Sequence, residues 1–310
     1  MSFNQSVLIC DQVDAILNNI LQKNGLQVTY EPQITKEELM QKIGNFDIII
    51  VRSRTTITKE LIEKATKCKI LARVGVGLDN IDTEAAKAKN IRVINAVEGA
   101  MNAVAELVIG LMLGMAREIP RADRETRNGN WIKKELMGTE LAGKYLGIVG
   151  LGNIGKRLGR LARALNMNII GFDVIPIDPE FAKEVGLIKA DLDTLLQSAD
   201  YVSLHVPLLD STKNMINAKR LGTMKKTAKI INTSRGGTVD EDALYEALKS
   251  GNLGGAALDV FEKEPATGNK LTTLPNFIAT PHIGAQTKEA QSLAANVIAE
   301  KIIQILRGVL

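Results

Sequence analysis

Three residues of this 310-residue chain, His282, Glu264 and Arg235, are suited to acid–base chemistry on an anchored anion. His282 is one of two histidines and lies in "IATPHIGAQT". Histidine ionises near neutrality and so carries protons under ordinary conditions. It does this best when a carboxylate orients the ring and stabilises its protonated form. Glu264, in "LDVFEKEP", could be that carboxylate. Arg235, in "NTSRGG", offers a planar cation able to grip a carboxylate or carbonyl with parallel hydrogen bonds. Each also has a plainer reading: a loop cap, a solvated acid, half of a surface ion pair. Their placement favours chemistry, because each follows a short apolar run, as does a loop suited to phosphates.

That loop is Gly150-x-Gly152-x-x-Gly155 in "GIVGLGNIGKRLGRLARAL". An apolar run precedes it and an amphipathic helical pattern follows. The first glycine permits a tight turn, the second lets the backbone approach a pyrophosphate, and the third lets helix pack on strand. The helix N-terminus then presents N–H groups to the phosphates. Asp173 ends the next apolar run, "NIIGFD", where a carboxylate can accept from both ribose hydroxyls. It would repel a 2′-phosphate, and no arginine follows it, so the expected cofactor is NAD. Ligands in such sheets gather at the carboxyl ends of strands. That places His205, in "SLHVPLL", at the cofactor edge as well. Hydride transfer between a hydroxyl carbon and nicotinamide also needs a proton moved on or off oxygen.

The elements that must hold these residues alternate along the chain. "SVLICD" (6–11), "LQVTY", "FDIIIV" (46–51), "KILARV" (69–74) and "IRVIN" (91–95) read as buried strands with helical segments between them. Thr35 with Glu38 has capping-box spacing. Residues 100–119 read as one long apolar helix ended by Pro120, either a core helix or a subunit interface, or both. A second series runs through 144–150, 168–173, 201–206, 228–233, 254–260 and 277–280, with helices at 153–166, 191–198 and 240–250. Strand alternating with helix means parallel sheets. A last helix, 286–307, could pack back on the first domain. The expected division is 1–98 plus 286–310 for substrate, and 99–285 for cofactor, with a cleft between them.

The first domain offers anion-binding candidates. "RVGVGLDNID" has Gly75 and Gly77 after a strand, so backbone N–H groups can converge on an anion. "VRSRT" ends another strand with Arg52, Ser53 and Arg54. Two such loops suit a substrate with a carboxylate and a second anionic group.

Composition narrows the classes. Hydrophobic residues make up 45% and charged residues 24%, ordinary for a globular protein. A net charge of +4 is too mild and too evenly spread for nucleic acid. Cys10 and Cys68 fit neither a disulfide framework nor a metal site, so a reducing compartment and no metal are expected. "MSFNQSVLIC" lacks a basic leader, and no apolar run approaches a membrane span. A cytoplasmic enzyme without membrane partners is expected.

Nearly the whole chain resembles the NAD-dependent D-2-hydroxyacid dehydrogenase family. The motifs that carry the resemblance are "RVGVGLDNID", "NGNWIKKELMGTELAGKYLGIVGLGNIG", "LHVPLLDSTKNMIN", "NTSRGGTVDEDAL", "GAALDVFEKEP" and "TPHIGAQTKEAQ". The resemblance implies an α/β fold of two doubly wound parallel-sheet domains, a Rossmann cofactor domain and a flavodoxin-like substrate domain. It implies that Arg235 binds substrate and polarises its carbonyl, and that His282 is the acid/base with Glu264 as partner. It further implies cofactor contacts at Asn153, Ile154, Asp173, Pro207, Thr212, Thr233, Ser234, Asp259 and Gly284. Asp259 would meet the nicotinamide carboxamide, and Val76 and Val104 would flank the ring. A homodimer through the cofactor domains is implied. "WIKKEL" and "GAQTKEAQ" lean toward the branch that oxidises 3-phospho-D-glycerate in serine biosynthesis, where Lys133 and Lys134 match residues reaching a neighbouring subunit's substrate phosphate. Many members of that branch continue into a serine-binding regulatory domain. The chain stops at "IIQILRGVL", so such feedback is not expected, and an unphosphorylated substrate such as glyoxylate or hydroxypyruvate is the alternative. A non-catalytic NAD(H)-sensing protein is a further alternative, against which the Arg235, Glu264 and His282 set argues.

Overall fold

Short runs of branched apolar residues become strands here because helices can cover both faces of a parallel sheet. The computed structural model describes residues 3–309. Among these, β1 (Ser6–Ile9), β2 (Gln27–Tyr30), β3 (Ile48–Val51), β4 (Ile70–Arg73) and β5 (Arg92–Asn95) form one sheet, in the order β2-β1-β3-β4-β5. β6 (Tyr145–Val149), β7 (Asn168–Phe172), β8 (Ile188–Lys189), β9 (Tyr201–Leu204), β10 (Lys229–Asn232), β11 (Gly255–Leu258) and β12 (Phe277–Ala279) form the other, in the order β12-β11-β10-β9-β6-β7-β8. All their pairings are parallel. In the second sheet the chain runs outward from β6 to β8, then returns to the other side of β6 at β9. This reversal makes the carboxyl end of β6 a natural ligand crevice.

The chain divides into two units at Met101/Asn102 and Gly284/Ala285. The first unit closes only with the helix Lys288–Leu306, whose Ala294, Ala295, Ile298, Ala299 and Ile302 are buried beside Val7, Ile9 and Leu17. Gly99 makes this packing possible, since a Cβ there would lie 2.8 Å from that of Ala294. The capping box of Thr35 and Glu38 forms in both directions.

In the second unit the helix Met101–Ala116 buries Ala105, Val108, Met112 and Met115 with Leu146 and Ile148 of β6. It is thus a core helix, and its exposed face carries Glu106, Gly110 and Leu113. The expected helix 100–119 needs correcting. It stops at Ala116, Glu118 turns into the left-handed region at φ 50°, and a second helix, Ile119–Arg127, begins. Pro120 therefore starts the second helix instead of ending the first. In a first turn its missing N–H costs nothing. β8 had no sequence signal, because both its residues are exposed at the sheet edge. No helix among the described residues is long and apolar enough to cross a membrane.

Candidate active site

The loop after β6 is shaped by what its glycines must avoid. Gly150 has φ 93°, and a Cβ there would meet the His205 carbonyl oxygen at 2.5 Å. At Gly155 it would meet the Gly150 carbonyl oxygen at 2.1 Å. At Gly152 it would meet no protein atom within 4 Å. The first and third glycines serve the fold, then, and the second leaves open space at the start of the helix Asn153–Ala164. Its first N–H groups have no intrahelical acceptor, so this space suits a pyrophosphate. Asn153 is exposed and Ile154 half-buried at that turn. Asp173, just past β7, accepts from the N–H groups of Leu151 at 2.6 Å and Ile175 at 3.0 Å. It locks the glycine loop to the next strand, and a carboxylate's remaining acceptor positions can still take ribose hydroxyls. The residues present fit a dinucleotide.

His282 follows β12 in a turn held by Asp259, which is 1% exposed. The Asp259 carboxylate accepts from the Thr280 hydroxyl at 2.6 Å, the Ile283 N–H at 2.8 Å and the Gly284 N–H at 2.8 Å. Its carbonyl accepts from the His282 N–H at 2.9 Å. The expected carboxamide contact would be a fourth interaction of a carboxylate that already organises the turn. Gly284 is crowded by Val104, whose Cγ2 would lie 3.2 Å from an added Cβ. The His282 ring meets Glu264 through Nδ1 and Oε2 at 2.8 Å, with half of the histidine side chain exposed. The other Glu264 oxygen accepts from the Phe261 N–H at 3.0 Å. An Nδ1–H held by a carboxylate leaves Nε2 as the proton-exchanging atom.

Arg235 lies in the loop after β10, and its Nη1 donates to the Ser234 carbonyl at 2.6 Å. Buried Asn232 ties this loop down. It accepts from the Ser234 N–H and hydroxyl and donates to the Arg235 carbonyl. Gly236 brings the loop against the next one, since a Cβ there would fall 1.9 Å from the Phe261 carbonyl oxygen. Contact at Gly236 thus joins the arginine loop to the loop bearing Glu264. Neither Asn232 nor Gly236 was singled out from the sequence. The usable signal was a polar residue closing an otherwise apolar strand.

The remaining candidates of this unit are spread along the same sheet edge. Ser203 Oγ lies 2.9 Å from His205 Nε2, and burial pushes that imidazole down to about 4, so it stays neutral. The Thr212 hydroxyl donates to the Pro207 carbonyl at 2.6 Å and shapes that exposed turn. Thr233 Oγ1 is buried without a protein partner. Lys133 and Lys134 stand on an exposed single turn of 3-10 helix, near exposed Trp131 and Met137.

In the first unit, Arg52 donates through Nη2 to Gln286 Oε1 at 2.9 Å, and burial lowers its guanidinium from the ordinary range. Ser53 is exposed beside it. Arg54, expected as a phosphate ligand, is committed to the fold. It donates to the carbonyls of Ile34 at 3.0 Å and Cys10 at 2.7 Å, and pairs with Asp11 at 3.3 Å. The Gly75–Gly77 loop is held by its carbonyls: Arg73 donates to that of Gly77, and Asn95 to that of Val76. A trans peptide sets N–H opposite C=O. The N–H groups of Gly77 and Leu78 therefore turn away from these anchors, as an anion cradle requires.

Residues 109–284 match the family model described as "D-isomer specific 2-hydroxyacid dehydrogenase, NAD binding domain". The chain is 47% identical over 303 residues to D-3-phosphoglycerate dehydrogenase of Methanocaldococcus jannaschii, covering 97% of this chain but 57% of that one. It is 47% identical over 290 residues to hydroxypyruvate reductase of Thermotoga maritima, covering 93% of each. The chain thus spans little more than half the length of the phosphoglycerate dehydrogenases it matches. Among solved structures, a Thermus thermophilus protein superposes with a TM-score of 0.89 at 34% identity, over 98% of this chain and 97% of that one.

Proposed function

The chain belongs to the family of NAD-dependent D-2-hydroxyacid dehydrogenases, and from that premise we propose that it interconverts a short D-2-hydroxyacid and its 2-keto acid, with hydroxypyruvate as the preferred keto acid. The observation that carries the reaction class is the 2.8 Å contact of His282 Nδ1 with Glu264, beside the Arg235 loop and in the same sheet as the glycine loop. NAD, when bound, supplies the acceptor or donor of hydride. Arg235 grips the substrate carboxylate and polarises the carbonyl oxygen. His282 Nε2 moves the proton on or off that oxygen, and Glu264 stabilises the imidazolium.

Two observations support an unphosphorylated substrate over the phosphorylated one expected from sequence. Arg54 is taken up by Asp11 and two carbonyls, which leaves the loop poorer in cations for a phosphate. The Thermotoga relative, a hydroxypyruvate reductase by name, matches over nearly its full length. The second reading is oxidation of 3-phospho-D-glycerate. It draws on the equal identity to the Methanocaldococcus relative, and on Arg52, Lys133 and Lys134 as cations for the phosphate. Initial rates of NADH oxidation with hydroxypyruvate, glyoxylate and 3-phosphohydroxypyruvate separate the readings. The expected result is a higher kcat/KM for hydroxypyruvate; a preference for the phosphorylated acid overturns it. Binding of NADH without turnover of any 2-keto acid would instead favour a sensing role. A homodimer through the second unit is part of the proposal, supported by the exposed Leu113, Trp131 and Met137. A monomeric mass in sedimentation equilibrium would remove it.

A further inference from the structure

We infer that Asp11 is a positioning residue for substrate binding: its buried carboxylate fixes the loop 52–55 and so the aim of Arg52 and Ser53. The inference rests on the reading that Arg52 and Ser53 receive an anionic group of the substrate. Asp11 lies two residues past β1, which pairs with β3 in the register Ile9 opposite Ile50. The two strands therefore deliver Asp11 to the loop leaving β3. Its side chain is almost fully enclosed, at 3% exposure. Oδ2 accepts the N–H of Arg52 at 2.5 Å and that of Thr55 at 3.2 Å. Oδ1 accepts the Thr55 hydroxyl at 2.6 Å and lies 3.3 Å from Arg54 Nε.

A carboxylate has about four acceptor positions, and a single loop fills them. A buried charge is tolerated only while it is paired and hydrogen-bonded. The loop cannot withdraw one donor without stranding that charge, so it keeps one shape. Within this network Arg54 compensates Asp11. The Arg52 side chain instead meets a neutral amide, that of Gln286. Its positive charge is thus offered at a fixed place, the kind of support that lets a binding residue act without reorganising.

Steady-state kinetics of the full chain with hydroxypyruvate and 3-phosphohydroxypyruvate, together with NADH titration by fluorescence, test the role. Asp11→Asn keeps the shape and removes the charge. Its KM for the keto acids should rise on the order of tenfold or more, the worth of hydrogen bonds to a charged acceptor. Its kcat should change little and NADH affinity not at all. Thr55→Val removes one donor at nearly constant volume and should raise KM by about threefold; it decides the matter if circular dichroism shows Asp11→Asn unfolded. An unmoved KM in the folded variants, with stability or kcat falling instead, overturns the positioning role. Arg52→Ala separates the two layers. If it raises KM and Asp11→Asn does not, only the positioning role fails. If it leaves KM unchanged, the substrate reading fails and takes the inference with it.

Discussion

His282 is placed by its backbone before its side chain does anything. Its φ of 54° is left-handed, a conformation that costs a non-glycine residue about 1–2 kcal/mol. Asp259 sustains it, accepting from His282 and from the two residues that follow. The residue is therefore held at its main chain by Asp259 and at Nδ1 by Glu264. Replacing His282 with Ala should lower kcat by roughly 10²–10⁴, the usual worth of a positioned acid/base. NADH affinity should survive, because the glycine loop and Asp173 are untouched; retained turnover in this variant would remove His282 from the mechanism. The other histidine has the opposite character. Burial holds His205 down to about 4, against an ordinary 6.5. Above pH 6.5 it is neutral in both folded and unfolded chains, and its environment costs nothing. As pH falls from 6.5 toward 4 the unfolded chain takes up a proton that the folded one refuses, and stability is lost, by up to about 3 kcal/mol. Urea unfolding midpoints measured across this window should fall more steeply for the wild type than for His205→Gln. Equal slopes would mean the ring is solvated.

At the scale of elements, the glycine loop divides its labour in a way substitutions can expose. Gly155→Ala would push a methyl into the Gly150 carbonyl oxygen, at 2.1 Å, and should destabilise the second unit by roughly 1–3 kcal/mol. Gly152→Ala meets no protein atom within 4 Å, so its melting temperature should stay near wild type while NADH binding weakens. Strong NADH binding by folded Gly152→Ala would show that the open space is not where the pyrophosphate goes. Most elements were legible in the sequence because buried parallel strands must be apolar on both faces; β3, buried at all four residues, is the clearest case. β8 was not, since an exposed two-residue edge strand needs no apolar pattern. Pro120 misled because proline is equally at home just after one helix and in the first turn of the next. Of the candidate site, Arg235, Glu264 and His282 stand out in the sequence because each follows an apolar run that forms a strand. The partners of Arg54 were not legible: one of them is the Cys10 carbonyl, 44 residues away. No local pattern reveals that an arginine will bond to carbonyls and a carboxylate so distant in sequence.

For the whole molecule, the division into two units gives each its own reporters. Cys10 and Cys68 both belong to the first unit, and burial pushes both thiols up to about 12. Neither should react with a disulfide reagent at pH 8 until urea opens that unit, so thiol release reports its unfolding alone. Prompt labelling of the native protein would mean that the unit opens readily. The single tryptophan, Trp131, is 83% exposed in the other unit.

The helix Lys288–Leu306 adds a consequence in time. The ribosome delivers residues in order, at about 5–20 per second. The second unit, Asn102–Gly284, is one unbroken stretch and has all its strands once Gly284 emerges. The first unit is begun earliest and finished last. Its five strands must wait, with the face of Val7, Ile9 and Ala72 covered only by Leu17 and Leu21 of the helix Ala15–Lys23, until Ala294, Ala295 and Ile298 arrive to complete the cluster. For the time it takes to make nearly two hundred residues, the nascent chain carries a half-covered apolar sheet. During synthesis that sheet is the surface on which a chaperone should act.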